Sequence, residues 1–115
     1  MIEAYEFGLV TIDGKKYRSD VILLPERVMD GWWRKEGHRL YVEDLREILE
    51  RRSKPNVLVV GTGFYGRMKV HSEVESTLKS QGIELIIQPT HEAWKTFNKL
   101  LESGKQIAAA FHITC

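Results

Sequence analysis

The spacing of hydrophobic and polar residues divides the chain into two parts. Near the start, apolar residues alternate with polar or small ones at Tyr5, Phe7 and Leu9. This period of two predicts a half-buried strand with a possible bulge at Gly8. Asp13-Gly14 predicts a hairpin turn, and Val21 to Leu24 predicts a further strand that ends at Pro25. The first part of the chain is therefore predicted to be antiparallel.

A fourth strand is predicted from Val28 to Arg34, interrupted near Asp30-Gly31. Trp32 and Trp33 are adjacent in it and point to opposite faces, because side chains alternate along a strand. We expect one indole in the core. The other either covers the surface or contacts a partner.

From Val42 onward, segments with the apolar spacing of a helix alternate with short, continuous apolar segments. Ser72 with Glu75 predicts a capping box, and Thr90 predicts another helix start. The predicted order is a helix before Pro55 and then strand, helix, strand, helix, strand, with the strands at 56–60, 84–88 and 107–113. This is the pattern of a parallel β-α-β-α-β unit. We predict an α/β fold in which antiparallel strands precede that unit, as a single domain over residues 1–115.

Composition adds few constraints on function. The chain has 115 residues, 43% hydrophobic and 29% charged, and a formal net charge of +1. These values give no reason to expect nucleic acid as a partner. No apolar run approaches the length of a membrane span, and the first residues lack a signal-peptide pattern. We expect a cytosolic protein, monomeric or weakly dimeric, with no membrane partner.

The segment 61–69 is the strongest candidate for a ligand site. Gly61, Gly63 and Gly66 have the spacing of a dinucleotide-binding loop after a strand. Two features argue against a dinucleotide site. In such a site the last glycine lies inside the following helix, but the predicted helix cap is Ser72, six residues beyond Gly66. An acidic residue is also expected at the end of the second strand, where this chain has Gln88. No cofactor is predicted. The glycines either allow a sharp turn or open a small anion pocket formed by Gly61, Thr62, Gly63, Arg67 and Lys69.

The histidines and the single cysteine give weaker signals. His38, His71, His91 and His112 show no i,i+4 metal-ligand spacing, so no metal site is predicted. One interpretation of the C-terminus is a Cys–His nucleophile formed by Cys115 and His112. A neighbouring carboxylate would discourage the thiolate, and a packed strand end is the favoured interpretation.

Several short motifs together resemble the Mth-domain family, whose members include an adipogenesis-associated protein and a mitochondrial complex I assembly factor. The matching motifs are Trp33-Arg34 with Gly37-His38, Val57 to Gly63, Met68 to Val70, Gly82 to Leu85, Thr90 with Ala93, Phe97-Asn98 and Phe111 to Cys115. One departure is Phe97, where relatives usually carry tyrosine. The resemblance implies a three-layer α/β domain and a role in assembly or interaction, without an established reaction.

Two functional hypotheses follow. The first is a non-enzymatic binding or assembly-assisting protein, which predicts an exposed apolar patch involving Trp32 or Trp33 and no preorganised acid–base pair. The alternative is a binder of small anionic metabolites, or an unrecognised enzyme, that uses the Gly61–Lys69 loop.

Overall fold

The computed structural model describes residues 1–115. It contains ten strands: β1 (Ile2–Glu6), β2 (Leu9–Ile12), β3 (Lys15–Tyr17), β4 (Val21–Leu24), β5 (Arg27–Asp30), β6 (Arg39–Leu40), β7 (Val57–Thr62), β8 (Lys69–Val70), β9 (Glu84–Gln88) and β10 (Ile107–His112). A 3₁₀ helix spans Val42–Leu45, and three α-helices follow: α1 (Arg46–Leu49), α2 (Ser72–Ser80) and α3 (Thr90–Leu101). No helix is both long enough and apolar enough to cross a membrane.

A five-stranded sheet with the order β5-β4-β10-β7-β9 forms the centre. Strands β10, β7 and β9 are parallel, whereas β4 and β5 are antiparallel additions at one side. Helix α2 connects β7 to β9, and α3 connects β9 to β10. The predicted α/β class, with antiparallel N-terminal strands before a parallel β-α-β-α-β unit, is confirmed.

The central sheet buries both of its faces. Leu58 and Val60 of β7 belong to one core cluster, which also contains Val74 and Leu78 of α2. Val57 and Val59 point the other way into a second cluster. That cluster includes residues of α3 and of a separate antiparallel sheet, β1-β2-β3. Burial on both faces explains why β7 reads as a continuous apolar run, and it produces three layers.

Two predictions for the N-terminal part are wrong in detail. Gly8 lies in a turn between β1 and β2 with φ +74°, so the alternating segment from Tyr5 to Leu9 is two strands and not one bulged strand. The predicted fourth strand ends at Asp30, because Gly31 adopts φ +68° and turns the chain. The Asp13-Gly14 hairpin is confirmed, with both residues at positive φ.

The predicted helix starts are also shifted. His71 is the N-cap of α2 and accepts a hydrogen bond from the Glu73 N–H, so the Ser72–Glu75 capping box is wrong. Thr90 is the first residue of α3 after Pro89, and its buried hydroxyl bonds across the structure instead of capping. In both cases a tertiary or neighbouring partner replaces the predicted local bond.

Gly61 lies where the sheet and the start of α3 approach each other closely. A β-carbon at this position would lie 2.7 Å from Thr90 Oγ1 and 2.8 Å from Phe111 Cδ1. Both neighbours are fully buried, so neither can move aside easily.

We therefore expect Gly61→Ala to destabilise the fold by about 2 kcal/mol through overpacking. Thermal unfolding should show a melting temperature roughly 10 °C lower. Gly37→Ala is the matched control, because nothing lies within 4 Å of its position. A Gly61→Ala protein as stable as the control would contradict this account.

Candidate functional site

The structure brings several predicted residues to one edge of the central sheet. Parallel strands β7 and β10 end in register, with Thr62 opposite His112. The glycine loop leaves this edge, and the Phe7-Gly8 turn lies beside it, since the Gly8 N–H donates to the Ile113 carbonyl over 2.7 Å. Ligand sites in open α/β sheets form at such carboxyl ends.

The backbone amides of the glycine loop are largely used within the protein. Gly63 N–H donates to Thr90 Oγ1 over 2.8 Å, and Phe64 N–H donates to the Thr114 carbonyl over 2.7 Å. Gly66 and Met68 N–H groups donate to carbonyls of the same loop. Gly63 is also crowded, because a β-carbon there would lie 2.7 Å from the Cys115 carbonyl oxygen. The loop is thus packed against strand ends and offers few free donors.

The two basic residues of the predicted anion pocket have different neighbours. The Arg67 guanidinium lies over the Tyr65 ring, 5.4 Å from its centroid. Lys69 is exposed on β8 and lines a cleft of about 300 Å³ together with Arg39, Tyr41, Val70 and His71. Of the five predicted residues, only Lys69 reaches this cavity.

Trp32 and Trp33 occupy different environments. Trp32 is buried, its Nε1–H donates to the Asp44 carbonyl over 2.9 Å, and the Arg34 guanidinium lies 4.7 Å from its ring centroid. Trp33 is 76% exposed and lines a cavity of about 350 Å³. The pair divides into one core and one surface indole, although it lies beyond β5 in a loop.

A cluster of exposed aromatic rings, which we call the aromatic patch, lies at the same edge. It consists of Phe7, Phe64 and Tyr65, which are 50%, 37% and 63% exposed. The Phe7 and Phe64 centroids are 5.7 Å apart, and those of Phe64 and Tyr65 are 5.1 Å apart, both edge-on. Beneath the patch, Tyr5 donates its hydroxyl to the Ile113 carbonyl over 2.9 Å. Burial, and then the Asp20 charge, raises the pKa of Tyr5 to about 12.

Below the edge lies a polar cluster of the half-buried Asp20 and the buried Arg34 and His112. Asp20 Oδ2 accepts from Arg34 Nη1 over 2.8 Å and lies 2.9 Å from His112 Nδ1. Asp20 Oδ1 accepts from the Ile113 N–H over 2.8 Å, and Arg34 Nη2 donates to the Gly37 carbonyl over 2.8 Å. Burial raises the pKa of Asp20, but the hydrogen bonds from His112, Ile113 and Arg34 together outweigh it and hold that pKa below its ordinary value.

The His112 Nδ1 atom lies between two charged groups. Asp20 Oδ2, 2.9 Å away, only accepts hydrogen bonds, whereas Arg34 Nη2, 3.0 Å away, only donates them. The Asp20–His112 contact has the composition of a catalytic Asp–His pair, and the expectation of no preorganised acid–base pair stays a prediction. However, Nε2 is buried and has no hydrogen-bond partner in the protein. The Cys115 thiol bonds to neither ring nitrogen, so no Cys–His nucleophile is formed.

The polar cluster is not visible in the sequence. Asp20 precedes the predicted strand from Val21 to Leu24, Arg34 ends the predicted fourth strand, and His112 lies near the end of the last predicted strand. The three residues are separated by 14 and 78 positions along the chain. The only local signal for the cluster is that the charged residues Asp20 and Arg34 flank apolar segments, and this pattern is common on protein surfaces.

Residues 2–112 match the family described as "Protein of unknown function (DUF498/DUF598)". The chain belongs to this family. The solved structures agree: a conserved hypothetical protein from Pyrococcus horikoshii is 32% identical, with a TM-score of 0.84 and coverage of 100% of this chain and 99% of that one. A Mth938-like domain from Bordetella pertussis has a TM-score of 0.71 at 18% identity, covering 98% of this chain and 85% of that one, which supports the fold alone. The resemblance to the Mth-domain family is confirmed.

Curated relatives of this family member carry the name NADH dehydrogenase [ubiquinone] 1 alpha subcomplex assembly factor 3. The Rattus norvegicus protein is 33% identical over 95% of this chain and 58% of its own length. The Danio rerio protein is 34% identical over 96% of this chain and 62% of its own length. The chain therefore spans about three fifths of the relatives it matches, which are named for an assembly role.

The polar cluster predicts acid-sensitive stability. The pKa of Asp20 is lowered by folding from 3.8, so its contribution is complete above that value and is lost as pH falls through the folded pKa. Asp20→Asn should lose about 3 kcal/mol at neutral pH, because Arg34 is left buried without its counter-ion. The variant should also show a shallower loss of stability below pH 4, measured by urea unfolding at several pH values.

Asp30→Asn is the control, since Asp30 is exposed and lies outside the cluster. If Asp20→Asn and Asp30→Asn gave the same pH dependence, the assigned role of the Asp20 carboxylate would be wrong.

Proposed function

We propose that the chain is a single non-enzymatic domain that assists assembly by binding another protein through the aromatic patch. The observation that carries this proposal is the contact of three exposed aromatic rings at one edge. Soluble monomers rarely leave such rings grouped in water, and grouped aromatic side chains are frequent anchors of protein interfaces. The names of the curated relatives support an assembly-type role.

The backbone beneath the patch supports the proposal further. Phe64 and Gly8 N–H groups both donate to carbonyls of the C-terminal segment, each over 2.7 Å. The rings are therefore held by two turns that are fixed to the same strand end. A preorganised surface loses little conformational entropy on binding, which favours affinity.

Trp33 is a separate candidate contact in this proposal. Its indole is 76% exposed and borders a cavity that is also lined by Met29, Lys35, Glu43 and Glu47. A partner side chain could enter that cavity beside the indole. Trp32, in contrast, is buried and is part of the hydrophobic core.

The proposal also covers the cellular location, the oligomeric state and the classes of partner. The domain works in the cytosol, as a monomer or weak homodimer, without nucleic acid or membrane as a partner. The net charge of +1 supports the absence of a strong electrostatic partner.

We expect a double change of Phe7 and Tyr65 to serine to weaken partner binding at least about tenfold. The tagged protein would be cross-linked in its native cells, and its co-purifying proteins would be quantified by mass spectrometry. Leu101→Ser is the matched control, because Leu101 is an exposed apolar residue outside the patch. Trp33→Ser tests the second contact in the same way.

A set of partners retained by the patch variant as well as by the control would contradict the proposal. The melting temperatures of all variants must match, so that a loss of partners reports the surface and not the fold.

A second candidate function is binding of a small anion beside the glycine loop. The observation that favours it is the basic cleft that contains Lys69, Arg39 and His71. The geometry favours this cleft over the pocket predicted from the sequence at the glycine loop. The loop amides donate to other groups of the protein, and Arg67 lies over the Tyr65 ring.

For this second function, phosphate compared with chloride at equal ionic strength should raise the melting temperature by on the order of 3 °C. Lys69→Gln should remove the shift, whereas Arg67→Gln should keep it. A shift that survives Lys69→Gln would contradict an anion site in the cleft.

A further inference from the structure

Four polar side chains form a two-by-two array on the exposed face of the small parallel sheet. Strands β6 and β8 pair with Arg39 opposite Lys69 and Leu40 opposite Val70. Side chains alternate along a strand, so Arg39 and Tyr41 share a face with Lys69 and His71. Leu40 and Val70 point to the other face. Leu40 is fully buried in a core cluster, and the partly buried Val70 packs against that cluster. We call these four residues the basic array.

The first row of the array places two cations side by side. Like charges directly opposite each other in neighbouring strands are destabilising. Arg39 has a distant partner, since its Nε lies 3.7 Å from Glu36 Oε1, whereas Lys69 forms no ion pair. The row therefore carries an uncompensated positive charge at the mouth of the cleft.

The second row is aromatic. The Tyr41 and His71 ring centroids are 5.4 Å apart with an interplanar angle of 40°. Each ring is fixed: Tyr41 donates its hydroxyl to Glu36 Oε2 over 2.7 Å, and His71 Nδ1 accepts from the Glu73 N–H over 3.2 Å. In the neutral histidine that bond puts the proton on Nε2, which is then a donor.

We propose that the basic array binds a phosphate monoester that carries a planar ring, of the size and shape of a nucleoside monophosphate. The phosphate lies between Arg39 and Lys69, and the ring lies against Tyr41 and His71. The rows are two residues apart, about 6.6 Å along the strands, which suits a phosphate and a base joined through a sugar. The cleft of about 300 Å³ is at the small end of ligand pockets.

This inference rests on the second proposed function and adds the identity of the ligand. It differs from a dinucleotide site at the glycine loop, because the phosphate meets side chains of paired strands and not loop amides. Glu36 and Glu73 are the acidic residues bonded to the array; Glu36 holds Arg39 and Tyr41 in position, and Glu73 contributes its backbone amide.

The experiment is calorimetric titration of the whole chain with AMP, inorganic phosphate and adenosine at fixed ionic strength. We expect AMP to bind at least tenfold more tightly than phosphate and adenosine to bind undetectably. Lys69→Gln should weaken AMP binding at least tenfold. Lys95→Gln is the charge-matched control, because Lys95 is exposed on α3, away from the cleft.

The ring contact is tested through Tyr41. Tyr41→Leu should remove the preference for AMP over phosphate, whereas Tyr41→Phe, which keeps the ring, should retain that preference. Phosphate binding that depends on Lys69 without a preference for AMP would overturn the inference but leave the anion function standing. Absence of binding by either ligand would overturn both.

A ligand-free readout tests the charge argument separately. Removing one of two opposed cations should raise the melting temperature of Lys69→Gln by about 2 °C. A lower melting temperature in this variant would show that Arg39 and Lys69 do not repel each other, which would overturn the array as described.

Discussion

The Asp20 carboxylate is the interaction on which both proposed surfaces depend. It receives hydrogen bonds from Arg34 and from the Ile113 amide, and it lies 2.9 Å from Nδ1 of His112 in β10. Ile113 in turn accepts from the Phe7-Gly8 turn beneath the aromatic patch. Arg34 reaches the Gly37 carbonyl, two residues before Arg39 of the basic array. One half-buried anion thus connects the Phe7-Gly8 turn of the aromatic patch with the segment that leads to Arg39 of the basic array.

Such a cluster is costly to build. Burying charges requires that each be paired and hydrogen-bonded, and the desolvation penalty can exceed the attraction between them. Here Arg34 Nε and His112 Nε2 are buried without a hydrogen-bond partner in the protein. A buried ion pair is weak evidence for added stability, so we interpret the cluster as a device that fixes the loop geometry. It specifies one arrangement of the strand ends, at some expense of stability.

The glycine loop illustrates how a sequence motif acquires a different meaning in three dimensions. Its spacing suggested a ligand-binding backbone, and its glycines are indeed required for close approach. The atoms that approach Gly61 and Gly63, however, belong to Thr90, Phe111 and Cys115 of the same chain. The motif therefore serves packing between β7, β10 and α3, and the adjacent Lys69 lies on a different strand pair.

Most of the architecture was predictable, because it depends on local signals. Continuous apolar runs predicted β7 and β10, and β9 has the predicted bounds, Glu84–Gln88. The errors arose where the predicted local bond competed with a neighbouring or a distant partner. Ser72 and Thr90 both have capping chemistry, but His71 caps α2, and the Thr90 hydroxyl donates to the His112 carbonyl over 2.6 Å.

The sequence alone determined the α/β class, the parallel orientation of β7, β9 and β10 and the division of the two tryptophans between core and surface. These follow from periodicity, which each segment carries within itself. Only the tertiary structure decided which polar residues meet. Asp20, Arg34 and His112, or Arg39 and Lys69, come together through strand pairing and loop closure between distant segments, and no local pattern encodes those distances.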